Sequence, residues 1–329
     1  MFPKLRGCFV GSGSSGMQSP VIAAAIMELV PAEHREKPNV LYIGTATYDN
    51  AESRRKQTKA LEAAGCTIYD LSCSEVGDLS QQEIKTKIEG ANIIVASGGN
   101  TLFMIDTWKA RGMDSLILEA ADRGCVLCGG SAGAIAWFDG GHSDSADPET
   151  YRSFMSHQAD AKEHGKDSKD EASEAPLDEL DRKDWEYIRV PCLSYLPGLV
   201  CPHYDKTQSN GIPRSQDFDA MLLKHPNELG ICIDHNAALV VDSFHDTFRV
   251  VTIPDQKGSV LQNGDFSKVA EGKPGVWLRE VASTETRTFT RKLVPQSGGK
   301  LSELLRECKG HIIEDKRVHR CREENRIST

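Results

Sequence analysis

Short apolar segments alternate with longer helix-like segments through the first 140 residues of this 329-residue chain. The apolar segments are rich in Val and Ile and have no polar face, which is typical of strands covered on both sides. Alternation of such strands with helices predicts an α/β fold with a doubly wound, mostly parallel sheet. The predicted strands span residues 7–10, 39–45, 67–71, 92–97 and 125–128, and the predicted helices span residues 20–29, 53–64, 81–88, 102–111 and 115–123.

The rest of the chain continues the sheet and then changes character. Strands are predicted at residues 187–190, 198–201, 230–233 and 238–241, and extra antiparallel strands at 247–253, 276–281 and 286–293. From residue 301 onwards we expect one amphipathic helix followed by a charged, frayed end. We therefore divide the chain into an α/β domain at residues 1–255 and a C-terminal part at 256–329 that packs on the same domain or extends it.

A charged segment interrupts this pattern. Residues 160–175 contain no large apolar side chain, and such a segment cannot bury enough surface to offset the entropy lost on ordering. The sequence predicts a mobile surface insertion at about residues 148–185. A lid over a substrate site is the alternative, because long loops in compact domains are often functional.

Composition argues against several classes of function. The net charge of −9 is unfavourable for nucleic-acid binding, because contacts to phosphate need a basic surface. No apolar run reaches the roughly 18 residues that cross a bilayer, and the first residues lack the features of a signal peptide, so we expect no membrane partner and a cytoplasmic location. Cys125 and Cys128 have the spacing of metal ligands, but residues three apart in a strand face opposite sides. We expect buried thiols there and no metal.

A serine lies at the turn after the fifth predicted strand. The string G-G-S-A-G over residues 129–133 has the form of a nucleophile elbow, in which a strained turn exposes the serine hydroxyl above a sheet. Ser131 is therefore a candidate nucleophile. A serine nucleophile needs a base, and His203 is the best candidate because it follows an apolar strand and is expected on the same rim of the sheet.

Backbone donors for an oxyanion are also expected at this rim. The amide of Ala132 begins the helix after the serine, and the glycine-rich turn that ends the neighbouring strand offers the amide of Gly99. Asn100, in the same turn, is a candidate substrate contact, and the alternative is that it caps the following helix.

A second glycine-rich string, G-x-G-x-x-G at residues 11–16, follows a strand and precedes a helix, as in dinucleotide-binding folds. The acidic residue that such folds carry at the end of the second strand is missing, since Thr-Ala-Thr stands at residues 45–47. We therefore expect no nicotinamide cofactor, and the predicted chemistry needs no cofactor at all.

Several strings together resemble the peptidase E (aspartyl dipeptidase) and cyanophycinase family of serine peptidases. They occur in the family's order between about residues 5 and 245, namely A-S-G-G-N-T at 96–101, G-S-A-G-A at 130–134, W-F at 137–138 followed by S-D-S at 143–145, P-H-Y-D at 202–205, and residues 234–241. The resemblance implies a fold similar to that of class I glutamine amidotransferases and flavodoxin-like proteins.

By position, the resemblance assigns the nucleophile to Ser131, the general base to His203 and the oxyanion donors to Gly99 and Ala132. It also places Arg214 where aspartyl dipeptidases carry an arginine, whose planar fork suits a substrate carboxylate. A solvated surface arginine is the alternative.

One position departs from the family pattern. The family usually has a glutamate that partners the catalytic histidine, and this chain has His235 there. The resemblance also matches Asp144 to an aspartate of the catalytic relay. Three interpretations stay open: Asp144 or Asp234 orients His203, His235 orients it by a hydrogen bond, or the site is weakened or inactive.

The sequence thus predicts a serine exopeptidase-like hydrolase of short peptides, with dipeptides carrying an N-terminal Asp as one candidate substrate. One alternative is a weakened or inactive relative that uses the pocket for binding. Another is a cyanophycinase-like hydrolase of acidic polymers. The expected partner is a short peptide, and the quaternary state stays open, with a homodimer as one option.

Overall fold

The strands divide into two mixed sheets. The computed structural model describes residues 3–75, 79–152, 183–258, 272–308 and 310–327. In chain order, the strands of these residues are β1 (Arg6–Val10), β2 (Asn39–Ile43), β3 (Thr67–Asp70), β4 (Ile93–Ala96), β5 (Val126–Gly130), β6 (Phe138–Ser143), β7 (Ile188–Pro191), β8 (Leu196–Cys201), β9 (Gly230–Ile233), β10 (Ala237–Asp242), β11 (Thr247–Thr252), β12 (Val276–Ser283), β13 (Thr288–Leu293) and β14 (Gly299–Lys300).

The helices cover and connect these sheets. In chain order, the α-helices of the described residues are α1 (Ser14–Met17), α2 (Pro20–Leu29), α3 (Ala51–Ala63), α4 (Gln81–Glu89), α5 (Thr101–Ala110), α6 (Met113–Asp122), α7 (Ala132–Ile135), α8 (Arg214–Lys224), α9 (Leu301–Leu304) and α10 (Arg317–Ile327).

The first sheet has the order β14-β11-β10-β1-β5-β4-β2-β3. Its five strands from β1 to β3 are mutually parallel, and β10 joins β1 in antiparallel orientation. Phe9 of β1 packs into the apolar cluster on one face, while Cys8 and Val10 pack into the cluster on the other. Both faces are therefore buried, which explains the continuous apolar character of the strands. The α/β fold class predicted from the sequence is confirmed.

The second sheet has the order β13-β12-β9-β8-β6-β7. Its central strands β6, β8 and β9 are parallel, while β12 and β13 extend it in antiparallel fashion. The predicted C-terminal strands are thus present: β12 and β13 continue this second sheet through β9, whereas β11 joins the first sheet beside β10. The division into two sheets was not foreseen, because periodicity identifies strands but not which sheet each one joins.

The predicted helix beyond residue 301 is wrong in its extent. Helix α9 ends at Leu304, residues 305–308 and 310–316 are not helical, and helix α10 begins only at Arg317. The Asp315 carboxylate accepts hydrogen bonds from the amide of Arg189 at 3.0 Å and from that of Arg317 at 3.1 Å. This contact ties the segment to β7, and α10 then packs on the protein with Cys321 buried.

The predicted mobile insertion at about 148–185 falls mainly on residues 153–182, which lie outside the described residues. Its described ends are packed. Residues Pro148–Thr150 form a 3-10 helix, and the indole of Trp185, in an apolar cluster under the second sheet, donates to the Ser209 hydroxyl at 2.9 Å.

Candidate functional site

Ser131 occupies the turn between β5 and α7 in a strained backbone conformation, with φ 55° and ψ −118°. Such a conformation costs a non-glycine residue on the order of 1–3 kcal/mol, so the surrounding structure must enforce it. The amide of Ser131 donates to the carbonyl of Val10 at 3.1 Å, which ties the turn to the end of β1. The serine side chain remains partly exposed.

Close packing around this turn explains the glycines of the string. A Cβ added to Gly133 lies only 2.1 Å from the carbonyl oxygen of Ala96, and one added to Gly130 lies 1.9 Å from that of Ser12. No side chain fits at either position. The glycines let β5 and α7 approach the ends of β1 and β4, and this approach brings Ser131 to the rim of the sheet.

His203 reaches the same rim from the end of β8. Its φ is 49°, and its amide donates to the carbonyl of Gly11 at 2.9 Å. Val10 and Gly11 are consecutive residues at the end of β1. The backbones of Ser131 and His203 are therefore held by neighbouring carbonyl groups, although the two residues belong to strands of different sheets.

The side chain of His203 pairs with that of His235 in the turn after β9. Their Nδ1 atoms lie 2.8 Å apart, so one must donate and the other must accept. The backbone of His235 is fixed from both sides: its amide donates to Asp205 Oδ1 at 2.6 Å, and its carbonyl accepts from Ser12 Oγ at 2.6 Å. Of the three interpretations of this position, the geometry brings together His203 and His235.

Both imidazoles are neutral at pH 7. Burial, followed by electrostatic interaction with the His235 ring and with the cations Arg214 and Lys206, holds the pKa of His203 well below its usual range. Burial, together with the cations Lys206 and Arg214, lowers the pKa of His235 to about 4. Burial also raises the pKa of the Asp205 carboxyl beside them. A neutral His203 has one unprotonated ring nitrogen, and it can accept a proton from a substrate-side group when that nitrogen is Nε2.

The expected oxyanion donors lie around the same turn. Gly99 has φ 128°, a conformation that favours glycine, and a Cβ there lies 2.2 Å from the carbonyl oxygen of Ala46. Within the described ranges, no acceptor is found for the amides of Gly99 and Ala132, whereas the amide of Gly98 donates to Gln57 Oε1 at 3.0 Å. The first two amides are therefore free to meet a ligand oxygen.

Arg214 does not present its guanidinium to a substrate. The residue is 0% exposed, and its five N–H groups form five hydrogen bonds within the protein. The acceptors are Gln208 Oε1 at 3.0 and 2.8 Å, Asp144 Oδ2 at 2.7 Å, and the carbonyls of His142 at 3.3 Å and Pro202 at 3.1 Å. The assignment of Arg214 to a substrate carboxylate is thus corrected, since a buried cation needs every one of these partners.

The assignments of Asp144, Asp234 and Asn100 need correction for similar reasons. Asp144 pairs with Arg214, and not with His203 as expected. The carboxylate of Asp234 accepts from the amide of Gly275 at 2.8 Å and joins β9 to the segment before β12. Each of these contacts satisfies a donor of the scaffold and does not involve His203.

Asn100 acts as a helix cap, the alternative given above. Its side-chain oxygen accepts from the amide of Phe103 at 3.0 Å, and its Nδ2 donates to the hydroxyl of Thr150 at 3.2 Å. The residue is 0% exposed. The expected substrate contact through Asn100 is therefore replaced by a contact that joins α5 to the 3-10 helix at residues 148–150.

Sequence reasoning missed Ser15, whose hydroxyl lies 2.8 Å from His235 Nε2. The available signal was the glycine-rich string at residues 11–16, which contains three serines and follows β1 on the rim where Ser131 and His203 were expected. The string was weighed only as a dinucleotide-binding motif.

A buried Cys–His–Asp arrangement lies beneath the second sheet. Cys201 Sγ is 3.8 Å from His142 Nδ1, and His142 Nε2 is 2.8 Å from Asp217 Oδ1. Burial raises the pKa of the Cys201 thiol and lowers the pKa of His142 to about 4. Both Cys201 and His142 are 0% exposed, so this group stabilises the core and does not meet a substrate.

The remaining expectations about cysteines and membranes can be compared with the structure. All ten cysteines are free thiols, and Cys125 and Cys128 are buried. Over the described ranges, no group of His, Cys, Asp and Glu has the arrangement of a metal site. No described helix is both long enough and apolar enough to cross a bilayer.

Comparisons with known proteins agree with the fold and the resemblance. A family model described as Peptidase family S51 matches residues 9–248. A Trypanosoma brucei brucei protein named G2/mitotic-specific cyclin-1 is 27% identical over 328 residues, which cover 94% of this chain and 90% of that protein. Uncharacterized peptidase YgaJ of Bacillus subtilis (strain 168) is 32% identical over 171 residues, 52% of this chain and 56% of that protein.

A solved structure of a peptidase from an acI-B1 Actinobacterium superposes with a TM-score of 0.53 at 22% identity, covering 80% of this chain and 92% of that one. At this identity the superposition shows a shared fold. The family match spans both glycine-rich turns, Ser131, His203 and His235, and it confirms the resemblance drawn from the strings. This chain belongs to peptidase family S51.

Proposed function

We propose that this protein hydrolyses short peptides through a serine acyl-enzyme formed on Ser131. Membership of family S51 supports a peptidase-like hydrolase in general. The observation that carries the finer proposal is the attachment of Ser131 and His203 to the consecutive carbonyls of Val10 and Gly11. This attachment supports the pairing of a strained serine with a neutral imidazole, which is the pair that acyl transfer needs.

The mechanism follows from the hydrogen bonds of the site. His203 Nε2 takes the proton of Ser131 Oγ as that oxygen bonds to the substrate carbonyl carbon, and the amides of Gly99 and Ala132 donate to the resulting oxyanion. The imidazolium then gives its proton to the leaving amine as the C–N bond breaks. A water molecule, deprotonated by His203, then attacks the acyl carbon, and the imidazolium returns the proton to Ser131 Oγ as the bond between that oxygen and the acyl carbon breaks. Throughout, His235 Nδ1 accepts from the Nδ1–H of His203 and holds the ring in place.

The proposal does not include selection for an N-terminal Asp. That preference depended on Arg214, whose N–H groups are all bound within the protein. The chemistry of the site fits the peptide bond itself, and the substrate class is short peptides without an acidic requirement.

A fluorophosphonate probe together with a panel of dipeptides tests this function. We expect the wild type to be labelled and to hydrolyse at least one dipeptide, and Ser131→Ala to lose both properties. Ser194→Ala is the matched control, because Ser194 is another serine with positive φ, at 58°, and it is exposed at a different turn. Labelling that persists in Ser131→Ala contradicts the assignment of the nucleophile.

One observation favours a second function, namely peptide binding without turnover. The partner of His203 is a neutral imidazole, and loss of the carboxylate partner in a serine triad lowers turnover by about 10⁴. In that case dipeptides still raise the melting temperature of the protein, while neither labelling nor hydrolysis is detected. Such a result favours a protein that binds peptides in the same pocket without hydrolysing them.

A further inference from the structure

The glycine-rich loop at residues 11–16 packs directly against the turn that carries His235. A Cβ added to Gly11 lies 1.9 Å from the carbonyl oxygen of Asp234, and one added to Gly16 lies 2.5 Å from Val10 Cγ1. The amide of Gly11 also donates to the carbonyl of Ala237 at 2.8 Å. Gly11 is needed here for the close approach of two backbone segments, and Gly16 leaves room for the side chains of Val10 and Ser12.

Two serines of this loop contact His235. The buried Ser12 donates from its hydroxyl to the backbone carbonyl at 2.6 Å, and the exposed Ser15 lies 2.8 Å from the side-chain atom Nε2. The contact from Ser12 fixes the backbone position of His235. Only the contact with Ser15 involves a ring nitrogen whose proton can move.

The proton positions along this chain of hydrogen bonds depend on one another. If Ser15 accepts from His235 Nε2–H, then His235 Nδ1 is an acceptor, His203 donates from Nδ1, and His203 Nε2 is free to act as a base. If Ser15 donates instead, His235 donates from Nδ1 and His203 carries its proton on Nε2. The second arrangement leaves Ser131 without a base.

We propose that Ser15 is a positioning residue that fixes the tautomer of the His203–His235 pair, and this inference rests on the proposed function. Ser15 is exposed, so its own proton can be donated to water while its oxygen accepts from His235. In this protein the loop hydroxyl thereby performs the orienting role that a carboxylate has in a serine triad.

None of the charged groups around His203 and His235 named here bonds to the Nε2 atom of His235, so the Ser15 hydroxyl is left to fix the tautomer. Asp205 accepts from the backbone amide of His235, and the cations Lys206 and Arg214 disfavour protonation of both rings. Among the described residues, the hydrogen bonds of the His235 ring go to His203 and Ser15. The tautomer is therefore set by a neutral contact, and a change at position 15 should alter it.

Nitrogen-15 NMR of the imidazoles tests the tautomer without any substrate. In the wild type at pH 7 we expect His235 to carry its proton on Nε2 and His203 on Nδ1. Ser15→Ala should give a mixture of tautomers. Ser14→Ala is the matched control, because Ser14 is the preceding residue of α1 and, among the described residues, no side-chain partner is found for its hydroxyl; it should keep the wild-type spectrum. Wild-type tautomers in Ser15→Ala overturn the proposal.

The rate of fluorophosphonate labelling supplies a functional readout. For Ser15→Ala we expect a rate about tenfold lower with the same final extent of labelling, well short of the ~10⁴ loss that a wholly wrong tautomer causes. Ser15→Asp places a carboxylate on His235 Nε2 and should move the acid limb of the rate profile upward by about one pH unit. An unchanged rate and acid limb in both variants refutes the role of Ser15.

The two proposals fail in different ways. A wild type that is not labelled contradicts the proposed hydrolase, whatever the tautomer spectrum shows. A wild type that is labelled at Ser131, with no effect of Ser15→Ala on the spectrum or rate, contradicts only the positioning role of Ser15.

Discussion

Replacing His235 by glutamate is the sharpest test of how the base is controlled. In the wild type, the neutral ring of His235 faces His203 Nδ1 at 2.8 Å, and burial with nearby cations keeps the pKa of His203 well below its usual range. His203 is therefore already deprotonated in mildly acidic solution, and the rate of fluorophosphonate labelling should stay constant as the pH falls below 6.5. A carboxylate in place of His235 favours the imidazolium and should raise the pKa of His203.

The magnitude follows from Coulomb's law. Unit charges about 4 Å apart attract by about 4 kcal/mol at an effective dielectric constant of ~20, which corresponds to about three pH units at 1.36 kcal/mol each. Because His203 is partly exposed, screening reduces this value. When the rate of fluorophosphonate labelling is plotted against pH, we expect the acid limb for His235→Glu to lie about two pH units above that of the wild type. At pH 7 labelling should be at least about tenfold faster, within the ~10⁴ that a carboxylate contributes to a serine triad.

Initial rates of fluorophosphonate labelling between pH 4 and 9 measure both effects. His235→Gln is the control, since glutamine has the shape of glutamate and no charge, and its profile should keep the low acid limb. Coincident profiles for the glutamate and glutamine variants would falsify the idea that His203 is governed by the charge of its partner.

Three further predictions concern the scaffold and can be measured by urea denaturation. Arg214→Met leaves the carboxylate of Asp144 without its buried partner and should lower the free energy of unfolding by about 3–5 kcal/mol; an unchanged value contradicts the account of this ion pair. His142 is fully buried with a pKa of about 4, below its unfolded value of 6.5. The unfolded state therefore binds the proton more tightly, and stability falls as the pH falls through 6.5, by about 3 kcal/mol from this group by pH 4. His142→Gln should remove that part of the decline, and an equally steep decline refutes the assignment. Gly133→Ala forces a Cβ to within 2.1 Å of the Ala96 carbonyl oxygen and should cost about 1–3 kcal/mol, whereas wild-type stability shows that the turn can relax.

The sequence predicted well whatever depends on local pattern. The strands of the parallel sheet were placed within two residues of their observed ends, because β1 and its neighbours are apolar on both faces and short. The turn that carries Ser131 was also predictable, since the glycine-rich string follows a buried strand. The attachment of His203 near the same turn was expected for the wrong reason, because β5 and β8 belong to different sheets and the two backbones are tied instead to the consecutive carbonyls of Val10 and Gly11.

Other features depend on pairings between distant segments, which local pattern does not encode. Arg214 and Asp144 lie 70 positions apart, and only the packing of α8 against the second sheet reveals that the arginine is buried and fully bound. Similarly, the helix expected from residue 301 is interrupted because Asp315 binds the amide of Arg189, a tertiary contact that outweighs helix propensity.

The positive charges around the two histidines weaken His203 as a base. Lys206 and Arg214 disfavour an imidazolium at His203, and His235 supplies no negative charge to compensate them. In the proposed mechanism, removal of the proton from Ser131 is therefore the weak step, because a ring whose protonation is disfavoured is a weak base, while the imidazolium once formed is a strong acid toward the leaving amine. Attack by Ser131 needs this base for esters and amides alike. We expect His235→Glu to raise the rate of hydrolysis of activated esters such as nitrophenyl acyl esters, whose leaving group needs no proton, as well as that of amides of the same acyl group. An ester rate that does not change in His235→Glu contradicts this account, because it shows that deprotonation of Ser131 is not limited by the missing carboxylate.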